Sequence, residues 1–213
     1  MNVEVASFPN KAFYSGRLLP VGLPHQTGPL VLSPGLTSDE FAPVLTRRVA
    51  FLPSQPEPPM HTGKLNRSEA HLAARLATSV YRQYATASPG GFNPATTLGI
   101  IAPYRSQIAL IRRCLASTGI EPLNRVIVDT VERFQGSERD VIIYTFCVSR
   151  ANQLHFLSNL TEEDGALIDR KLNVALTRAR KQLFLIGVPS LLALNPIYER
   201  LIKEVGTITI GTE

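Results

Sequence analysis

Two segments carry side chains whose types and spacing could act on a phosphorylated ligand. The first, TVERFQGSERD (Thr130–Asp140), sets a glutamine beside a glycine and adds Glu132, Arg133, Glu138 and Arg139. It is too polar to be buried whole. It reads either as a solvated strand-to-strand connection turned by Gly136, or as a loop facing both a nucleotide and a polyanion. In the second case Thr130 and backbone amides would meet phosphates, and Gln135 and Glu138 would meet a sugar or base. The second segment, RKLNVALTRARKQL (Arg170–Leu183), predicts a helix from about Ile168 to Lys181. At about 100° per residue, Ile168, Leu172, Ala175 and Ala179 form an apolar stripe with Leu176 at its edge. Arg178 and Arg180 then fall on opposite flanks, roughly 160° apart. They cannot serve one ligand atom: one can point to a phosphate while the other braces the domain. Lys171 shares the flank of Arg178, and Asn173 that of Arg180. An amphipathic helix with a basic solvent face would show the same pattern.

The elements that must position these residues are legible as alternating strands and helices. VAFLP (Val49–Pro53), TLGIIAP (Thr97–Pro103), VIVDTV (Val126–Val131), DVIIYTFC (Asp140–Cys147) and LFLIG (Leu183–Gly187) are short apolar runs of strand length, the third and fourth rich in β-branched residues. Between them, Asn66 and Glu69 have capping-box spacing, followed by Ala73, Leu76, Ala77, Val80 and Tyr84 at helical intervals. Tyr104, Ile108, Ile111 and Leu115 mark a second helix. Pro189 opens a last one running to about Val205. Such alternation indicates an α/β fold with a largely parallel sheet. Function in such sheets sits at the carboxyl ends of the strands, here Pro103–Gln107, Thr130–Arg139, Ser149–Asn152 and the turn after Gly187. Ten of the sixteen prolines fall at or before Pro59. They are expected to break the first 60 residues into extended pieces that wrap around something else. The resulting division is an irregular Pro-rich segment 1–65, a domain 66–206 and a tail 207–213.

VDTVERFQGSERDVIIYTF (Val128–Phe146) followed by DRKLNVALTRARKQLFLIG (Asp169–Gly187) resembles motifs V and VI of superfamily 1 helicases. The branch is that of the nonsense-mediated decay helicase and its DNA-replication relatives. SFPNKAFYSGRL (Ser7–Leu18) resembles the segment near that family's domain junction, NRSEAHLAARL (Asn66–Leu76) its N-x-x-E-A helix start, and GIIAPYRSQIALI (Gly99–Ile111) its motif IV. The resemblance implies a RecA-like three-layer sandwich, a P-loop NTPase fold without its P-loop, serving as the second motor domain of an ATP-hydrolysing helicase. Carried over, Arg178 is the arginine finger on the γ-phosphate, an effect worth about 10³–10⁵ in rate. Glu138 meets the ATP ribose or γ-phosphate region, Gln135 and Gly136 couple that end to the strand-binding loop, and Arg180 braces the ATP side. Thr130 touches a nucleic-acid phosphate. Tyr104, Arg105 and Asn173 are further nucleic-acid contacts.

No G-x-x-x-x-G-K-[ST] phosphate loop and no acidic magnesium motif of the D-E-A type occurs; the only Gly-Lys pair, Gly63-Lys64, is followed by Leu65. ATP and Mg²⁺ are therefore expected only with a first RecA-like domain, upstream in a longer chain or supplied in trans. The sequence by itself is expected to be a fragment that does not turn ATP over. A stand-alone nucleic-acid-binding or trans-acting regulatory module without ATP turnover is the alternative. The net charge of +5 suits a single-stranded DNA or RNA partner, and the contacts that separate the two are not legible in these motifs. Cys114 and Cys147 stand outside any CxxC or Cys/His cluster, and His25, His61, His71 and His155 are scattered, so no metal site is expected. Glu162, Glu163 and Asp164 read as a solvated loop near Arg170 and Lys171. No apolar run nears the ~20 residues of a membrane span, and the first residues lack a signal-peptide core. A cytoplasmic protein without a membrane partner is expected.

Overall fold

The computed structural model describes residues 1–58, 64–87, 91–163 and 166–211. His61, Gly63 and Asp164 lie outside the described residues. The centre of the fold is a five-stranded parallel sheet built from β1 (Val49–Pro53), β2 (Leu98–Ile101), β3 (Ile127–Asp129), β4 (Arg139–Thr145) and β7 (Ala179–Gly187). Its order is β1-β7-β4-β2-β3. A parallel sheet must be covered on both faces, so its strands read as unbroken apolar runs. In β7, Phe184 and Ile186 enter one core while Leu183 and Leu185 enter the other.

One face is covered by α4 (Arg67–Ala87) and α5 (Arg105–Ala116), with the single turns α3 (Ala42–Leu45) and α6 (Glu121–Asn124). The opposite face carries α1 (Val3–Phe13), α8 (Arg170–Leu176), α9 (Pro189–Leu192) and α10 (Pro196–Val205). The α/β, three-layer, parallel arrangement is the one expected. Two further single turns, α2 (Pro24–Thr27) and α7 (Leu154–Leu157), and an antiparallel hairpin of β5 (Leu160–Glu163) and β6 (Ala166–Asp169) complete the described elements. No helix among them is long and apolar enough to cross a membrane.

Several expectations differ from what is found. The last helix, expected from Pro189 to about Val205, is split into α9 and α10, with Asn195 capping the second by accepting from the Ile197 N–H. The helix expected over 168–181 is only α8: Ile168 lies in β6, and Ala179, Arg180 and Lys181 already belong to β7. The reason is backbone pairing. Arg139 donates its N–H to the carbonyl of Arg178 (3.0 Å), and Arg139 faces Ala179 in register, so β4 captures the chain one turn early. The helical-wheel separation of Arg178 from Arg180 therefore does not apply. The proline-rich start also does not stay apart. Asn2 caps α1 by accepting from the Glu4 N–H, and Val5, Phe8 and Phe13 are buried in the second core despite Pro9 inside the helix. β1 pairs along its full length with β7, and Ile208 donates to the Phe51 carbonyl at 2.8 Å. Finally, Glu162 and Glu163 lie in β5 rather than in a loop, and the Lys171 ammonium stands 3.9 Å from Glu132.

Candidate functional site

Parallel strands put all carboxyl ends on one edge of the sheet, and Tyr104, Arg105 and Thr130 of the expected nucleic-acid residues lie there, while Asn173 does not join them. β2 ends at Ile101, and Tyr104 and Arg105 begin α5. β3 ends at Asp129, in register with Ile101, and Thr130 follows. Arg105 and Thr130 then line one groove of about 700 Å³, together with Ile108, Arg112, Asp129, Glu132 and Arg133. Arg112 is spent on the Val128 carbonyl (2.9 Å), and Arg133 stands 3.9 Å from Asp129. Arg105 is exposed and has no ion-pair partner among the described residues. Three arginines against two carboxylates leave the groove cationic, which suits a phosphate backbone.

Tyr104 sits beside this groove with its ring under the Lys64 ammonium, 5.5 Å away. Its hydroxyl is buried without a hydrogen-bond partner, and burial first, then the nearby Cys147, pushes its pKa up. Asn173 is not among the lining residues. Its amide donates to the Tyr14 hydroxyl (3.0 Å), which turns it toward α1, and its Oδ1 is buried without a partner.

The loop after Thr130 does not stay at the carboxyl edge. It forms one turn of 3-10 helix (Val131–Phe134) and crosses the sheet face to reach the amino end of β4. Phe134 pins the crossing by lying on Gly99 of β2. A Cβ at Gly99 would come within 2.6 Å of the Phe134 ring, so only glycine admits this contact. Gln135, Gly136 (φ +78°) and Glu138 therefore emerge, exposed, at the opposite edge. Over the seven residues of β4 the edges stand about 20 Å apart by strand rise. The expectation that all of Thr130–Arg139 lies at the carboxyl ends thus fits only its start, where Thr130, Glu132 and Arg133 line the groove.

The amino edge also receives Arg178. The Arg139 N–H to Arg178 carbonyl bond places the two expected ATP-facing pieces side by side. The Arg178 guanidinium is half-buried and donates only to neutral acceptors, the Val174 carbonyl and the Thr177 hydroxyl, both at 3.1 Å. Arg180 differs. It pairs with Asp140 at 2.7 Å, and Lys181 takes the other carboxylate oxygen at 2.9 Å. Such a neutralised position fits a brace. Arg139 lies over the Phe134 ring with its donor capacity partly unmet, and desolvation, then Arg180, lowers its pKa. His25 is lowered as well, by burial first and then by the surrounding positive charge.

Two buried carboxylates that hold the carboxyl edge together escaped the sequence reading in these roles. Asp169 is fully buried at the N-cap of α8, where its Oδ1 accepts from the N–H groups of Asn159, Lys171 and Leu172, all at 3.1 Å, and its Oδ2 from the Tyr198 hydroxyl at 2.7 Å. The signal was present: an aspartate immediately before a basic-apolar run. Glu69 was read only as half of a capping box. Asn66 does accept from the Glu69 N–H (2.9 Å), but Gln107 takes the reciprocal place by accepting from the Asn66 N–H (2.8 Å). The Glu69 side chain instead accepts from the Cys147 N–H at 2.8 Å at the end of β4, where Cys147 has φ +54°. Burial raises the Glu69 pKa to about 8. No group of three or more His, Cys, Asp or Glu side chains comes together among the described residues.

Against known proteins, the family model described as AAA domain matches residues 1–190. The chain is 30% identical to the Regulator of nonsense transcripts 1 homolog of Arabidopsis thaliana, over 96% of this chain and 15% of that protein. It is 30% identical to the ATP-dependent helicase NAM7 of Saccharomyces cerevisiae, over 100% of this chain and 20% of the relative. With the DNA replication ATP-dependent helicase/nuclease DNA2 of Bos taurus the identity is 36%, over 67% of this chain and 12% of that one. The chain therefore spans a fifth or less of the length of these relatives.

Proposed function

Because this chain belongs to the AAA domain family, in the superfamily 1 helicase branch of the nonsense-mediated decay and DNA2 helicases, we propose that it is the second motor domain of an ATP-dependent nucleic-acid helicase. In this reading Arg178 is the arginine finger, and Tyr104, Arg105 and Thr130 form part of a single-strand track. The observation that carries it is the state of Arg178: a half-buried guanidinium held only by neutral acceptors, one backbone bond away from the Gln135–Glu138 loop. Neutral acceptors give up a guanidinium more readily than a carboxylate does. Swung outward, it would neutralise the charge that grows as a γ-phosphoryl group leaves. Glu138 and Gln135 would face the nucleotide from the adjoining turn, while Arg180, held by Asp140, keeps the amino ends of β4 and β7 together.

The chain supplies neither a phosphate loop nor magnesium ligands, so ATP and Mg²⁺ must be held by a first motor domain, and the chain alone is not competent. The test joins the chain to, or mixes it with, a first domain carrying a phosphate loop and follows phosphate release. Arg178→Ala should lower turnover by about 10³–10⁵, and the chain alone should release none. Clear ATPase activity from the chain alone, lost in Arg178→Ala, would overturn the reading of incompetence. For the track, two or three phosphate contacts should give a log–log salt slope of about −1.4 to −2.1. A flat salt dependence would remove it.

A further inference from the structure

At the carboxyl edge an aromatic ring is held out to solvent by a buried anchor. Leu154 and Leu157 of the single turn α7 are buried in the second core, while Phe156 between them is 61% exposed. Its surroundings tie it to the track from two sides. Lys64 holds its ammonium 5.3 Å from the Phe156 ring centroid and 5.5 Å from that of Tyr104, and its carbonyl accepts from the Ser106 hydroxyl at 2.5 Å. On the other side the Phe156 carbonyl lies 3.5 Å from the Lys171 ammonium, which stands 3.9 Å from Glu132 in the Thr130 groove.

A cationic groove reads only the backbone of a single strand. The bases that project from it need π surfaces of their own, and stacking on an aromatic side chain accepts every base. We propose that Phe156, backed by Lys64 and Tyr104, is a stacking platform for a base of the strand whose phosphates lie in the Arg105–Thr130 groove. This rests on the nucleic-acid reading of that groove. It adds a contact outside the motifs that carry the family resemblance, on a turn the sequence left unassigned. Lys64 remains over the rings and gives the platform a positive rim for the next phosphate.

The chain contains no tryptophan, so Phe156→Trp makes a single fluorescent reporter in the full 213-residue chain. It is titrated with oligothymidylate and with an abasic oligomer of the same length, which keeps sugars and phosphates but has no base. The fluorescence should be quenched by oligothymidylate and not by the abasic oligomer. In anisotropy titrations Phe156→Ala should weaken oligothymidylate binding by about 5- to 150-fold, leave the salt slope unchanged, and recover in Phe156→Tyr. Thermal melts of the variants should match the parent, because the ring is exposed. Equal binding of both oligomers, unquenched and insensitive to Phe156→Ala, overturns the platform and leaves the track standing. Binding of neither oligomer by the parent chain overturns both.

Discussion

Arg178 and Arg180 stand two residues apart on a strand edge, yet one rests on neutral oxygens and the other is neutralised by Asp140. On the proposed reading, that difference, and not the residue type, separates a movable cation from a brace. It could not be read in the sequence, because Asp140 reaches Arg180 only after β4 and β7 pair; the motif order alone pointed to Arg178. Glu69 shows the reverse case, a residue visible in the sequence whose chemistry depends on burial. Its folded pKa of about 8 lies well above the ordinary carboxyl value of 4.5. Between these values the folded chain keeps a proton that the unfolded chain has released. Raising the pH through that window therefore favours unfolding, and stability should fall by at most about 1.4 kcal/mol per pH unit. Glu69→Gln keeps an acceptor for the Cys147 N–H and removes the titration. Urea midpoints measured from pH 5 to 8 should decline for the parent and stay nearly level for Glu69→Gln; parallel declines would show that another group carries the effect.

At the scale of elements, α8 is short because it is fixed at both ends. Asp169 sets its start, and the Arg139 N–H to Arg178 carbonyl bond ends it. The apolar period of the segment fits a longer helix, since Ala179 continues the stripe, and no local rule says that a neighbouring strand will take the backbone first. Removing the start should matter most. Asp169→Ala leaves three N–H groups, that of Leu172 buried and those of Asn159 and Lys171 partly so, and the buried Tyr198 hydroxyl without their acceptor. Loss of the cap at about 0.5–2 kcal/mol and of a charged hydrogen bond at about 1.5–3 kcal/mol predicts a destabilisation of about 2–5 kcal/mol. Denaturant unfolding would measure it, and a loss under about 0.5 kcal/mol would show that water can replace the carboxylate. β2, β4 and the cores of α4 and α5 were all foreseen, because strands covered on both faces carry unbroken apolar runs. α1 was missed because its proline suggested an irregular chain, whereas the spacing of Val5 and Phe8 was the better guide.

For the whole molecule, the first 65 residues are structural, since β1 closes one side of the sheet and α1 closes the second core. Composition could not disclose this: prolines break local regularity but say nothing about which surface the pieces cover. A chain starting at Asn66 should lose near-ultraviolet ellipticity and aggregate, because β7 becomes an open edge and Leu176 and Leu183 lose their cover; a monomeric, cooperatively melting truncation would contradict this. The crossing from Thr130 to Glu138 has a different kind of consequence. With the Phe134 ring seated on Gly99, it is a beam on a fulcrum, its two arms ending at the opposite edges of the sheet. A rigid beam carries displacement from one arm to the other; a slack one absorbs it. On the motor reading proposed above, and with the chain joined to a first domain carrying a phosphate loop, one glycine inserted after Ser137 should leave strand binding and phosphate release each nearly intact. The two would be idle against one another, like an engine out of gear: little strand moved per ATP consumed, whereas an unchanged step per ATP would show that the crossing transmits nothing.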